Sequence, residues 1–178
     1  ATHIILDRSE QNWIGLFEQV IAENGLQGKD ASIYVQVTRG VADKRDHAYP
    51  EGMQATVFVM VTPVVYGTEL DAVKGIRAVT LPDNRWTSCY IKSICLLPNV
   101  LLRQRATDQG VQDAILIRDG YVTEAAAANV FIVSNGVLQT PPKDNLILGG
   151  ITRDLIVELA EQEGFVCQER AISEQQLK

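Results

Sequence analysis

The sequence has few of the residues that build disulfide scaffolds and metal sites. Its cysteines are Cys89, Cys95 and Cys167, an odd number without a Cys-x-x-Cys pair, which is typical of reduced thiols in a cytosolic protein. Its histidines are His3 and His47, too few for a histidine-rich metal site. We therefore expect neither a disulfide framework nor a bound metal.

Long apolar runs and basic clusters are also missing. No apolar stretch approaches the roughly 20 residues of a transmembrane helix. The formal charge is −6, whereas nucleic acid binding requires clustered Lys and Arg. The start, ATHIILDRSE, lacks the basic and apolar regions of a signal peptide. We therefore expect a cytoplasmic protein that binds neither nucleic acid nor membranes.

The composition is that of a globular protein. The 178 residues are 46% hydrophobic and 21% charged, enough apolar content to offset the entropy of ordering, which excludes a disordered chain. Pro63 and Gly67, within the stretch 62–70, predict a linker at 63–67. We expect one domain at 1–62 and another at 68–178.

Hydrophobic periodicity predicts an α+β fold with an antiparallel-rich second half. Ser9 and Gly25 bracket a predicted helix, as N-cap and stop. Asp119-Gly120 and Asn135-Gly136 predict two tight hairpins. Strands are predicted at 4–6, 32–39, 55–61, 75–81, 113–118, 121–124, 129–133, 137–140 and 165–170, and further helices within 95–108 and at 152–163, the last with Leu155, Ile156 and Leu159 inward.

Lys92 is the first candidate for chemistry, because aliphatic residues flank it and an apolar run follows it. Desolvation at such a position would favour the neutral amine, which is the nucleophile of Schiff-base chemistry. The alternative is a lysine at a strand end whose ammonium reaches solvent.

Glu124 is the second candidate, since the small residues of 125–128 would leave room beside it for a flat ligand. Gly149 and Gly150 before a helix expose backbone N–H groups that favour an anion, and Thr152 adds a hydroxyl. An exposed turn glutamate and a simple tight turn are the alternatives for these two features.

Arg45 and His47 form a fourth candidate, in the polar loop at 40–52. Alternate spacing in an extended loop would point both side chains one way, and such a pair suits a carboxylate. An ordinary solvated loop is the alternative.

Together these are the parts of a pyridoxal phosphate enzyme. The chain resembles the class IV (fold-type IV) pyridoxal phosphate-dependent aminotransferases, and within them the D-amino acid aminotransferases. The matching stretches are YVQVTRGVADKRDHAYPEG (34–52), DNRWTSCYIKSICLLPNVLLRQ (83–104), DAILIRDGYVTEAAAANVFIV (113–133) and NLILGGITRD (145–154). Their order and spacing make the resemblance specific.

The resemblance implies a role for each matching residue. Lys92 matches the Schiff-base lysine, and Glu124 matches the acid that pairs with the pyridine nitrogen. Ile151 and Thr152 match the groups that hold the phosphate, and Leu148 matches the aliphatic residue packed on the cofactor ring. The implied fold is part of a small α/β domain followed by part of a larger, antiparallel-rich, barrel-like domain.

Arg45 and His47 resemble the family's trap for the substrate α-carboxylate, on a loop that reaches the neighbouring subunit, so a homodimer is implied. The implied reaction transfers an amino group between a D-amino acid, such as D-alanine, and a 2-oxo acid, such as 2-oxoglutarate. The alternatives are a branched-chain aminotransferase, an aminodeoxychorismate lyase or a non-catalytic chain. The family's chains extend before residue 1 and beyond residue 178, so we expect a chain truncated at both ends.

Overall fold

The computed structural model describes residues 2–67 and 74–177. The chain forms two compact units, residues 1–72 and 73–178. Its strands form one two-stranded and two three-stranded sheets, and no barrel closes among the described residues. This mixture of helices and open sheets confirms the α+β class.

The first unit begins with helix α1 (Glu10–Glu23), close to where its capping residues predict it. The Ser9 hydroxyl accepts from the Asn12 N–H at 3.3 Å, which satisfies one of the amides left free at a helix start. Gly25 follows the helix with φ of 65°, and its N–H donates to the Ala22 carbonyl at 3.0 Å. Glycine adopts this conformation without strain, so the chain leaves the helix here.

A two-stranded antiparallel sheet completes the first unit. Strands β1 (Ala31–Thr38) and β2 (Thr56–Pro63) align so that Val35 is opposite Val59, an apolar cross-strand pair. Both strands lie within two residues of their predicted bounds. Pro63, assigned from the sequence to a linker, is instead the last residue of β2.

The predicted strand at 4–6 is wrong. Ile5 is 84% exposed, and no strand in the described ranges pairs with this segment. An apolar triplet without a partner gains neither ladder hydrogen bonds nor burial, so its β propensity alone does not fix a strand.

The second unit opens with a strand, a helix and a hairpin. Strand β3 (Ala78–Pro82) lies parallel to β4 (Asp113–Arg118), with helix α2 (Leu97–Asp108) as the connection. Strand β5 (Tyr121–Ala125) then pairs antiparallel with β4. A parallel pair requires a long crossover, which α2 provides.

The rest of this unit consists of a hairpin, a helix and a strand. Strands β6 (Ile132–Ser134) and β7 (Val137–Thr140) form a hairpin, and β8 (Cys167–Glu169) pairs parallel with β7. Helix α3 (Ile151–Gln162) makes the crossover, and a 3-10 helix (Glu174–Leu177) ends the described chain. Periodicity alone did not predict the two parallel pairings.

Both predicted hairpin turns are confirmed. Asp119 and Gly120 have φ of 51° and 82°, and Asn135 and Gly136 have φ of 51° and 76°. Two consecutive positive φ values define the turn whose twist matches the flanking strands. These dipeptides therefore fix the registers of β4–β5 and β6–β7.

The main core of the second unit is small and lies between α2 and β4. Leu102 and Ala106 of the helix pack with Ala114 and Leu116 of the strand and with Ala126, all nearly inaccessible to solvent. Since Leu102 and Ala106 lie four residues apart, they share one face of α2. None of the helices in the described part of the chain is long and apolar enough to cross a membrane.

Helix α3 presents a different face to the interior from the one predicted. Its buried residues are Arg153 and Ala160, whereas Leu155 and Leu159, expected inward, are 50% and 46% exposed. Ile156 is 36% exposed. Periodicity located the helix correctly, but the predicted apolar face is not buried within the described ranges.

Candidate functional site

Glu124 lies at an irregularity of the β4–β5 pair. Ile117 is opposite Val122, but Ile115 is opposite Ala125, so β5 contains one more residue than β4 over this stretch. Such a bulge interrupts the alternation of side chains. It accounts for the continuous burial of the last four residues of β5, among them Glu124, which is 7% exposed.

The Glu124 carboxylate receives hydrogen bonds on both oxygens. Arg85 Nη1 donates to Oε1. The Asn129 side-chain amide donates to Oε2 at 3.2 Å, and the Leu148 backbone N–H donates to the same oxygen at 3.0 Å. A carboxylate offers about four acceptor positions. These three donors leave one position open among the described residues.

Arg85 is held from its other side by Asp83. Its Nε and Nη2 donate to the two Asp83 carboxylate oxygens at 2.9 and 2.8 Å, and Nη2 also donates to the Leu146 carbonyl at 3.1 Å. Burial opposes the charge on Arg85, but its bonds with Asp83 and Glu124 outweigh that penalty and raise the pKa of Arg85. Arg85 is 6% exposed, so its guanidinium group is a buried, permanently charged donor.

The side chain of Asp83 is inaccessible to solvent and is still ionised. Burial would raise the pKa of Asp83, but hydrogen bonds from Arg85 and Thr123 and the charge of Arg85 lower it to about 2. The Thr123 hydroxyl donates at 2.8 Å, and Arg118 Nη2 lies 3.3 Å from Oδ1. We call these four residues, Asp83, Arg85, Arg118 and Glu124, the Arg85 cluster. The cluster contains two carboxylates and two guanidinium groups.

Sequence reasoning missed most of this cluster. Asp83 and Arg85 lie within the matching stretch 83–104, and Asn129 within 113–133, yet none was assigned a role. The one available signal is the Asp-x-Arg spacing, which lets the carboxylate accept from the backbone N–H and the Nε of the same arginine. That spacing is common on exposed turns, so only the structure distinguishes this instance.

The segment before α3 adjoins Glu124. Besides the Leu148 N–H, the Leu148 carbonyl accepts from the Asn129 side chain at 2.8 Å. A Cβ on Gly150 would collide with the Asn129 side-chain oxygen, so this backbone approaches closely because residue 150 is a glycine. Gly150 is the N-cap of α3 and gives it no side-chain cap. The structure thus brings Glu124 and Leu148 together beside the helix start, where Ile151 is exposed.

Lys92 has surroundings unlike those expected from its sequence neighbours. The residue is exposed, and its amine has no hydrogen-bond or ion-pair partner in residues 2–67 and 74–177. The neighbouring Ile94 and Leu97 are themselves 65% and 69% exposed, so the apolar run does not cover it. The expected desolvation is therefore not found. The segment before Lys92 is anchored by the Cys89 N–H, which donates to the Asn145 carbonyl at 2.9 Å.

The small residues after Glu124 do not provide the expected space. Ala125 and Ala126 are buried, and Ala126 belongs to the core. Their N–H groups donate to the carbonyls of Ala128 and Ala114 at 2.7 and 3.0 Å. These two amides are therefore used by the chain itself.

Arg45 and His47 belong to the first unit, and both are exposed. The backbone bends at 43–44 and again at 47–48, so the loop is not the extended segment that the spacing argument assumes. Asp46 fixes the second bend by accepting from the His47 N–H at 2.6 Å. A depression of about 550 Å³ in this loop is lined by residues 41–43 and 50–56 and not by the pair.

The three cysteines are free, and the described residues contain no group of three or more His, Cys, Asp or Glu placed to hold a metal ion. Burial raises the pKa of the Cys89 thiol, and the charge of Arg85 opposes this effect. The Cys89 thiol therefore ionises less readily than that of an exposed cysteine.

A family model for class IV amino-transferases matches residues 1–178. The chain belongs to the class IV aminotransferases. Enzymes of this family depend on pyridoxal phosphate. The family assignment confirms the resemblance on which the site residues were chosen, while their roles stay predictions.

The relatives differ in how much of their length the chain matches. D-alanine aminotransferase of Bacillus licheniformis is 39% identical over 151 residues, which are 85% of this chain and 53% of that protein. The chain thus spans about half the length of this curated relative. The branched-chain amino acid aminotransferase of Escherichia coli has a TM-score of 0.77 and 28% identity, covering 98% of this chain and 59% of that one.

A third similarity concerns the fold alone. A putative 4-amino-4-deoxychorismate lyase from Legionella pneumophila has a TM-score of 0.84 at 22% identity, covering 98% of this chain and 63% of that one. The class IV fold is therefore present in this chain. Its specificity within the family does not follow from the fold.

Proposed function

We propose that this chain transfers an amino group between a D-amino acid, such as D-alanine, and a 2-oxo acid, such as 2-oxoglutarate, with pyridoxal phosphate as cofactor. The observation that carries the proposal is the buried Glu124 carboxylate, which keeps one acceptor position open beside the start of α3. The 39% identity to a D-alanine aminotransferase supports the substrate class.

The residues around Glu124 fit pyridoxal phosphate. The open acceptor position suits a protonated ring nitrogen, and the start of α3 without a side-chain cap suits a phosphate. We assign the phosphate to the backbone at Ile151 and the Thr152 hydroxyl, and the ring contact to Leu148. When bound, pyridoxal phosphate supplies an electron sink for bond cleavage at the substrate Cα.

Lys92 is the proposed catalytic residue. Its exposed amine, without an ion-pair partner in the described ranges, is accessible to the carbonyl group of a ligand. Lys92 would hold the cofactor covalently, be released by the substrate amine and then move the proton at the substrate Cα.

Arg45 and His47 are the proposed site for the substrate α-carboxylate, because an Arg fork binds a carboxylate in two places. We further propose a cytoplasmic homodimer, in which this loop serves the neighbouring subunit, and a division into domains at the segment 63–67. These proposals rest on the family resemblance.

The test is an amino-transfer assay. The chain is mixed with pyridoxal phosphate, D-alanine and 2-oxoglutarate, and pyruvate and D-glutamate are measured by chiral chromatography. We expect the wild type to form pyruvate and D-glutamate in a one-to-one ratio. The control K29A, which alters an exposed lysine of the first unit, should do the same. K92A should form neither. Product formation by K92A would contradict the role of Lys92.

A branched-chain aminotransferase is the second candidate, favoured by the 28% identity to the E. coli enzyme. The same assay with L-leucine in place of D-alanine separates the two. Faster transfer from L-leucine would replace the proposed function by this one. Cofactor binding without transfer from either amino acid would instead favour a non-catalytic chain.

A further inference from the structure

We propose that Arg85 is a positioning residue that makes Glu124 a fixed anion for the ring nitrogen of the cofactor. The inference rests on the proposed function and deepens it. The proposed reaction does not otherwise use Arg85. In this proposal Arg85 controls how strongly Glu124 binds the ring nitrogen of the cofactor.

The position of Arg85 is fixed by its other hydrogen bonds. The guanidinium cannot rotate freely, because Nε and Nη2 are bonded to both oxygens of Asp83 and Nη2 also to the Leu146 carbonyl. Asp83 in turn accepts from the Arg85 backbone N–H at 3.1 Å, which closes a local ring. The remaining nitrogen, Nη1, is therefore directed at Glu124.

Arg85 also balances the charge of Glu124. An ionised carboxylate that is 7% exposed is costly unless a cation and hydrogen-bond donors compensate it. Arg85 is the cation in direct contact with Glu124, while Arg118 contacts Asp83. Without Arg85, Glu124 would lose both the cation that balances its charge and the donor that holds its Oε1.

The donors around Glu124 also fix the orientation of its carboxylate. Arg85 fixes Oε1, while Asn129 and Leu148 fix Oε2, so the open acceptor position has one orientation. A carboxylate oxygen in this position can accept a hydrogen bond from a protonated ring nitrogen. Arg85 thereby fixes the place and direction in which the nitrogen meets its acceptor. Preorganised partners of this kind bind most strongly because they need no rearrangement.

The test compares two ligands, so that an effect through the nitrogen is separated from a general loss of structure. One ligand is pyridoxal phosphate, and the other is its 1-deaza analogue, in which C–H replaces the ring nitrogen. Dissociation constants are measured by absorbance titration for the wild-type chain, R85M and R85K. The matched control is R103M, because Arg103 is half exposed and pairs with Asp113 outside the cluster. Circular dichroism checks the folding of each variant.

We expect R85M to bind pyridoxal phosphate about tenfold more weakly, as for a lost charged hydrogen bond, and the analogue within about twofold of the wild type. R85K should lie between, since it keeps the charge without the fork, and it decides the outcome if R85M does not fold. Equal weakening for both ligands, or none for either, would overturn the inference while leaving the proposed function intact. A wild-type chain that binds neither ligand would overturn the proposed function and this inference with it.

Discussion

The surroundings of Glu124 and of Lys92 contrast sharply. Glu124 is 7% exposed and receives donors on both carboxylate oxygens, from Arg85, Asn129 and Leu148. Lys92 is exposed, and its amine has no partner within the described ranges. Both belong to the second unit and both are proposed to contact the same cofactor.

One half of the proposed site, the acid, is held in place by the chain's own hydrogen bonds, and the other half, the lysine, is not. The acid is held by the chain's own hydrogen bonds, so its position contributes to folding stability. The lysine contributes nothing comparable to folding. Substitutions around Glu124 should therefore change folding stability and cofactor binding together. Substitutions of Lys92 should change cofactor attachment and chemistry while leaving folding stability unchanged.

The largest expected effect follows the removal of Arg85. R85M leaves two buried carboxylates without their shared cation, which should lower the free energy of unfolding by about 3–5 kcal/mol. Urea unfolding followed by circular dichroism measures it, with R103M expected within about 0.5 kcal/mol of the wild type as an exposed arginine control. An unchanged midpoint for R85M would show that the cluster does not hold the acid in place.

The second effect is the dependence of the free energy of unfolding on pH. The pKa of Asp83 falls from 3.8 to about 2 on folding, so the folded chain binds this proton less readily than the unfolded one. Its contribution, about 2 kcal/mol, is complete above pH ~4 and is lost as the pH falls towards 2.

D83N should remove this part of the pH dependence, which urea unfolding at pH 5, 4 and 3 measures. The control D108N changes an exposed aspartate at the end of α2 and should keep the wild-type profile. A D83N profile as steep as that of the wild type would contradict the ionised state of Asp83.

The third effect separates two adjacent glycines. In G150A the new methyl group would displace the Asn129 side chain and disturb its bonds to Glu124 and Leu148, at a cost of about 1–2 kcal/mol. In G149A it would meet only the flexible Lys143 side chain at 3.1 Å, so little change is expected. Thermal unfolding compares the two. Equal stability would mean that Asn129 is not needed to hold the acid.

The smallest effect on folding is expected for Lys92. K92A should unfold within about 0.5 kcal/mol of the wild type, because the side chain is exposed and makes no hydrogen bond within the described ranges. Urea unfolding without cofactor measures this. A loss comparable to that of R85M would mean that Lys92 is packed in solution, and the contrast with Glu124 would disappear.

Local patterns in the sequence predicted the local structure. Ser9 and Gly25 bracket α1, and the dipeptides at 119–120 and 135–136 make the predicted turns, because each acts through its own backbone. The face of α3 was wrong, since Leu155 and Leu159 are spaced for burial but burial depends on which distant element packs there.

The site divides in the same way. Glu124 and Leu148 were both chosen from the family motifs, and the structure joins them by a hydrogen bond, while their roles stay predictions. Arg85 and Asp83 were not chosen from the sequence. Arg85 contacts Glu124, which is 39 residues further along the chain, and Glu124 is buried because of a bulge that hydrophobic periodicity does not predict. The exposure of Lys92 was equally hidden, since apolar neighbours in sequence do not have to cover a side chain in space.

The most direct test of the central claim locates the cofactor on the chain. The chain is mixed with one equivalent of pyridoxal phosphate, the link to lysine is made permanent by borohydride reduction, and the labelled peptide is mapped by mass spectrometry. The account predicts the label on Lys92, with little on the other five lysines, and its loss in K92A but not in K29A. Label spread equally over exposed lysines, or retained in K92A, would contradict it.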